Sequence, residues 1–274
     1  MMDALGPAKT AVITGGAAGI GLAAAQRFAA LGMNIAIADL GQDRLDAAAA
    51  TMPGVQVLTR HVDVSQLADL QAFEAAVNAR FGGTDVLMCN AGIQGGSSVL
   101  DRTGWDRVVQ VNLWGIIQSC QVFVPGMIAC GKPGLVITTG SKQGITTPPG
   151  DPAYNLAKAG VKVFTEALEH DLRGRPGNRI SAHLLIPGFV WTGLTKGDRT
   201  EKPDAAWTAD QTADFMMQSL AKGDFYILCP DNDVPRALDE KRIHWAAHDI
   251  IENRPPLSRW HKDYGQAFKD FAAK

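Results

Sequence analysis

Ser141, Tyr154 and Lys158 stand thirteen and then four residues apart in the segment GSKQGITTPPGDPAYNLAKAG. If Tyr154 opens a helix, Lys158 lies one turn further along the same face. An ammonium beside a phenol favours the phenolate and lowers the tyrosine pKa. A tyrosine poised nearer neutrality can move a proton to or from an alcohol oxygen. Ser141, at the end of the preceding apolar run, can hold that oxygen with its hydroxyl. Tyr-x-x-x-Lys occurs by chance in many helices, so the triplet gains its weight from what surrounds it.

Those residues need a scaffold, and the hydrophobic pattern predicts one. Apolar, often β-branched runs at 10–14, 34–39, 55–60, 85–90, 134–139, 180–186 and 225–229 read as strands. Helical patterns lie between them near 19–31, 42–51, 66–80, 104–129 and 153–173. Gly32 and Gly174 fall just past two of these helices, where a left-handed terminal residue is expected. Strands that are continuously apolar are buried on both faces, as in a parallel sheet covered by helices. Right-handed crossovers then give a three-layer, doubly wound, Rossmann-like α/β fold of about seven strands. The whole chain, 1–274, reads as one such domain. The rhythm breaks at 189–222, a long connection that reads as a substrate loop or lid. There Thr208 and Gln211 have the spacing of a capping box opening a helix. It breaks again at 231–274, a C-terminal helical extension with helices near 234–252 and 262–273.

The first strand runs into Thr14-Gly15-Gly16-Ala17-Ala18-Gly19-Ile20-Gly21 and then a helix. Such glycines permit a tight turn and let backbone approach a pyrophosphate at the helix N-terminus. A plain glycine-rich turn is the alternative. Asp39 ends the second strand, eighteen residues beyond Gly21, where a carboxylate can accept hydrogen bonds from ribose hydroxyls. It would repel a 2′-phosphate, and no Lys or Arg occupies 17, 18 or 40, so NAD is expected over NADP. Asp63, followed by Val64, stands after the third strand, to contact an adenine or to cap a helix after Ser65. Asn90-Ala91-Gly92 follows the fourth strand, as a close approach to a cofactor or as a simple turn.

Composition narrows the classes. The 274 residues are 46% hydrophobic with a net charge of −2, so no basic surface draws the chain to nucleic acid or an anionic membrane. Cys89, Cys120, Cys130 and Cys229 form no CxxC and read as reduced, mostly buried thiols in a cytoplasmic protein. No secretory signal is apparent, and no uninterrupted apolar run approaches ~20 residues, so no membrane span is expected. His244 and His248 lie four apart, but no third ligand follows at matching spacing, so no metal site is expected.

Taken together, TGxxxGxG at 14–21, Asp39, Asp63, the NAG at 90–92, Asn112, Ser141, YxxxK at 154–158 and Pro187-Gly188 with Thr192 resemble the short-chain dehydrogenase/reductase family, in its compact single-domain branch. The resemblance covers roughly 8–195 and the strand near 225–229. It implies that Asn112 bends the fourth long helix and holds a water in a proton relay. It implies that Pro187 and Gly188 close over a nicotinamide, with the backbone of Val190 and Thr192 near its carboxamide or phosphate. Lys158 would also bond the nicotinamide ribose. A homodimer or homotetramer is implied, paired through the helices at 104–129 and 153–173. Two departures stand out. Gly140 precedes Ser141 where the family usually has serine, and the tail beyond 230 is longer than in the commonest members.

The expected reaction interconverts a secondary alcohol and its ketone with NAD. Phe189, Trp191, Trp207, Phe215, Met216 and Met217 suggest a hydrophobic or aromatic substrate, or else they are core residues of the connecting helices. NADP-linked reduction is a second reading. A nucleotide-sensing protein without catalysis is a third, against which the retained Ser141, Tyr154, Lys158 and Asn112 weigh.

Overall fold

Along β1 (Thr10–Thr14) every residue is buried, Ala11 and Ile13 on one side of the sheet and Val12 on the other. Alternate residues of a strand face opposite ways, so a strand buried at every position must be covered on both faces. The computed structural model describes residues 2–273. Its main sheet has seven parallel strands in the order β3-β2-β1-β4-β5-β6-β9. These are β2 (Asn34–Asp39), β3 (Val57–His61), β4 (Val86–Cys89), β5 (Gly134–Thr139), β6 (Ile180–Ile186) and β9 (Tyr226–Leu228) beside β1. The strand order reverses between β1 and β4, and their carboxyl ends diverge into a crevice there.

On one face the core gathers side chains of α1 (Gly19–Ala30), α2 (Gln42–Ala50) and α9 (Ala209–Lys222). On the other it gathers α3 (Leu67–Phe81), α5 (Gly115–Cys130) and α7 (Pro152–Gly174). This is the three-layer, doubly wound arrangement predicted. α4 (Trp105–Val109) runs into a π-helical stretch, Gln110–Trp114, and then into α5. A single π turn shifts the register of a helix and is frequent at functional sites. The combined helix Trp105–Cys130 is, by length and composition, apolar enough to cross a membrane, though Asp106, Arg107, Gln110 and Asn112 interrupt its apolar residues. Here its inner face packs on β4, β5, α3 and α7.

The long connection after β6 holds β7 (Val190–Trp191), α8 (Gly193–Lys196) and β8 (Trp207–Thr208), with β7 and β8 paired parallel. Thr208 accepts from the Gln211 N–H at 3.1 Å, and the Gln211 side chain accepts from the Thr208 N–H at 2.8 Å, so the predicted capping box opens α9. One predicted cap is absent. α7 runs through Gly174 and ends on an extended Arg175; the left-handed glycine is Gly177. After β9 come α10 (Arg236–Ile251), a short 3-10 turn Ser258–Trp260 and α11 (Gly265–Ala273). α10 packs on α6 (Gln143–Thr146), the short helix that follows Ser141. Trp245 anchors this tail, its indole N–H donating to Ser258 Oγ at 2.8 Å.

Candidate active site

The crevice between β1 and β4 is stitched by three polar side chains. Thr14 Oγ1 accepts from the N–H groups of Asn90 at 3.1 Å and Ala91 at 3.3 Å. Asn90 Nδ2 donates to the Gly15 carbonyl at 3.1 Å, and Thr139 Oγ1 donates to Asn90 Oδ1 at 3.2 Å. A side chain at Gly21 is impossible, since a Cβ there would sit 2.2 Å from the Gly15 carbonyl oxygen. No side chain caps the start of α1, so its positive end faces the crevice.

The groove that results has two adjoining parts, of ≈ 410 and ≈ 430 Å³. Gly15, Asp39, Arg44, Ala91 and Gly92 line both. Towards one end lie Ser141, Tyr154, Lys158, Pro187, Gly188, Val190 and Thr192, with Gly19 and Ile20 at the glycine turn. Towards the other lie Asp63 and Val64. Thr14, Gly21 and Asn112 do not line the groove; they shape it from behind. An open groove of this length, with an uncapped helix end at its middle and a carboxylate beside it, fits a dinucleotide.

α7 positions Tyr154 and Lys158. Asp151 caps the helix through the Tyr154 N–H at 3.4 Å, and Pro152 occupies the first turn. Ser97 Oγ donates to the same carboxylate at 2.5 Å and accepts from the Ala153 N–H at 2.9 Å, tying the loop after β4 to the helix start. Lys158 is 3% exposed and its Nζ donates to the Thr139 carbonyl at 2.8 Å. Its Nζ lies 5.7 Å from the Tyr154 ring centre. Burial alone pushes Lys158 down to about 8. Tyr154 goes the other way. Burial foremost raises it to about 12, while the Ser141 hydroxyl pulls it down. In the chain by itself, removing the phenolate from water outweighs what the Ser141 hydroxyl returns. Ser141 Oγ accepts from the Gln143 N–H at 3.1 Å.

Asn112 is fully buried in the π-helical stretch. Its side chain accepts from the Ile93 N–H and donates to the Ile93 carbonyl, both at 2.7 Å. It thus clamps the irregular segment that follows Asn90-Ala91-Gly92, and its side-chain amide is taken up there. Asp63 accepts from the N–H and hydroxyl of Ser65 at 2.9 and 2.7 Å, closing a turn before α3 rather than capping that helix, whose cap position is Gln66.

Asp39 has more partners than expected. Oδ1 accepts from the Leu40 N–H and from Arg44 Nη2, each at 2.8 Å, and Oδ2 from the Ala17 N–H at 3.3 Å. The cation absent from 17, 18 and 40 is supplied from the first turn of α2, five residues on. That spacing from a strand end to the next helix was the signal available for Arg44. The aromatic expectation also changes. Met216 is buried and Trp207, Phe215 and Met217 pack against the core beneath α9, with Trp207 and Phe215 edge to face at 5.8 Å. None of the six lines the groove; Val190 and Leu194 are what the connection presents there.

A doubly wound sheet with such a groove at its reversal point defines a nucleotide-binding class of enzyme fold. The family model described as short chain dehydrogenase matches residues 9–203. The chain is 33% identical over 204 residues to the 2-(R)-hydroxypropyl-CoM dehydrogenase of Xanthobacter autotrophicus, covering 72% of this chain and 80% of that one. It is 34% identical over 197 residues to levodione reductase of Leifsonia aquatica, covering 69% and 72%. A short chain dehydrogenase/reductase from Burkholderia phymatum, solved in complex with NAD, matches with a TM-score of 0.83 at 29% identity, covering 93% of this chain and 98% of that one. The chain belongs to the short-chain dehydrogenase/reductase family of oxidoreductases, whose members bind NAD or NADP and act on small molecules.

Proposed function

We propose that this chain interconverts a secondary alcohol and its ketone with NAD, Tyr154 moving the proton at the substrate oxygen. The observation that carries this is Tyr154 and Lys158 side by side on α7, buried, at the end of an open groove that also holds Asp39. The nicotinamide, when bound, supplies the carbon that takes or returns hydride. Pro187, Gly188, Val190 and Thr192 hold that end of the cofactor, and Asp39 the adenosine ribose. Ser141 holds the substrate oxygen. With its proton held up to about 12, Tyr154 meets a ketone as a neutral acid at pH 7. Lys158, at about 8, is then mostly charged and steadies the phenolate left behind. The rate of ketone reduction should accordingly fall as pH rises through about 8 and Lys158 loses its charge.

The substrate has apolar substituents in this reading, facing Val190 and Leu194. Residues 189–222 close over it, since Val190, Thr192 and α8 line the groove. Copies of the chain pair through α5 and α7, whose outer faces present Trp114, Leu156 and Val163. A cytoplasmic location fits the three buried free thiols. Use of NADP is the second reading, and Arg44 favours it: released from Asp39, its guanidinium could receive a 2′-phosphate.

The test is NADH and NADPH oxidation, followed by absorbance, over a panel of ketones. Tyr154→Phe should lower turnover by ~10²–10⁴-fold with nucleotide binding retained. Turnover near that of the parent would reject the assignment. Asp39→Ala should move preference from NADH towards NADPH.

A further inference from the structure

A second cavity, ≈ 530 Å³, lies between α10, the turn that follows it and the 145–147 end of α6. None of its lining residues lines the nucleotide groove. Arg242, Arg254 and Arg259 all face it, along with Trp245, Trp260 and Leu257. One carboxylate, Asp249, stands among the three guanidiniums. It is already engaged, accepting from Ser258 N–H at 3.0 Å and Ser258 Oγ at 2.5 Å. Arg254 spends its charge locally. It donates to the Trp245 carbonyl at 2.8 Å, stacks 4.1 Å over the Trp245 ring, and lies 3.1 Å from Asp249 with its Nε unaligned for a hydrogen bond.

Arg259 stacks 4.8 Å over the Trp260 ring and 5.0 Å over Phe268, while Arg242 has no such outlet. Among the described residues neither forms an ion pair, and Arg242 Nε is a buried donor with no acceptor. Asp239, whose charge also acts on Arg242 and Arg259, is held by Lys142 at 2.6 Å. Burial and then the neighbouring Arg242 draw Arg259 down to about 10, with Asp239 opposing them. Buried charges are ordinarily paired, because desolvation is costly otherwise. Guanidiniums match planar carboxylates through forked hydrogen bonds, and aromatic walls suit a flat apolar body.

We propose that this cavity binds a small aromatic carboxylate, gripped at its carboxylate by Arg242 and Arg259 and packed against Trp260 and Leu257. The site is distinct from the proposed catalytic groove and does not depend on the reaction assigned to it. Its wall at Ile145 and Thr146 belongs to α6, so a bound anion buttresses the turn carrying Ser141.

The test is titration of the full chain with sodium benzoate at constant ionic strength, read by calorimetry and by tryptophan fluorescence. Saturable sub-millimolar binding is expected, together with a raised melting temperature. Arg242→Gln and Arg259→Gln should each weaken binding by at least ~10-fold, a loss typical of a charged hydrogen bond. Both should melt no lower than the parent without benzoate, because each removes an unpaired cation. Arg102→Gln, at an exposed position, should change nothing. NADH binding, measured separately, should be unaltered in all three. No saturable binding would overturn the proposal, as when a carboxylate of a second copy already fills the cavity. So would binding that survives both substitutions, or equal displacement by chloride.

Discussion

Two lysines near Ser141, Lys142 half-buried and Lys158 buried, sit in opposite electrostatic surroundings. Lys142 lies 3.2 Å from Asp231 Oδ2 and 2.6 Å from Asp239 Oδ2. Asp231 in turn accepts from the Phe189 N–H at 3.3 Å, so one cluster joins the serine turn, the loop after β6 and the tail helix α10. Gly188 makes room for it, because a Cβ there would lie 2.4 Å from Asp231 Oδ2. Lys158, deeper still, has among the described residues no carboxylate partner, and its hydrogen bond is to the Thr139 carbonyl. A neutralised ammonium is an anchor, since nothing is gained by adding another anion. An ammonium without a carboxylate is held at a cost, and it remains available to a charge that develops beside it. The same contrast separates Arg254 from Arg242 and Arg259 in the tail.

Substitution can break this comparison. The largest expected effect is Lys142→Met, which leaves two carboxylates buried without a cation. Burial already pushes the Asp239 carboxyl up despite Lys142. Losing the partner should destabilise the fold by ~3–5 kcal/mol in denaturant titrations at pH 7; a loss under ~1 kcal/mol would mean the cluster is solvated in solution. Lys158→Met should do the reverse. It should abolish turnover yet stabilise the fold by up to ~3 kcal/mol, the scale set by a lysine pKa depressed from 10.5 to about 8. A destabilised Lys158→Met protein would contradict the picture of an uncompensated ammonium.

The pH dependence sharpens the point. The folded-state value of Lys158 is about 8 against an ordinary 10.5. Between those limits the unfolded chain binds more protons than the folded one, so this group makes the parent more stable as pH rises. The stability gap between Lys158→Met and the parent should therefore narrow from pH 8 to pH 10. A gap that stays constant would assign the difference to packing. The smallest effect belongs to an exposed pair, Arg102 and Asp106 at 2.8 Å. Arg102→Ala should shift stability by less than ~0.5 kcal/mol in the same titrations.

The strands, the glycine turn and the Tyr-Lys pair were legible because each is written in a short stretch of chain. Seven apolar runs became seven parallel strands, with ends moved by a residue or two. The capping box at Thr208 lies within one turn and was equally readable. Gly174 was misread as a cap because helix α7 runs one residue further than its pattern predicts. Arg44 was missed because a helix turn folds it back over a strand end. Trp207, Phe215, Met216 and Met217 suggested a pocket, but an amphipathic helix must bury its apolar face somewhere, and here that face meets the sheet.

From its residues alone, the chain settled what repeats at short range: which runs are strands, where a backbone must turn tightly, and which side chains share a helical face. Only the folded chain decided the charge environment. Lys142 meets Asp231 across 89 residues of sequence. Likewise Arg242 and Arg259 face one cavity from two elements of the tail. Whether a buried cation is matched or left open depends on which distant carboxylates the packing delivers and how much water it removes, and neither quantity is written in local spacing.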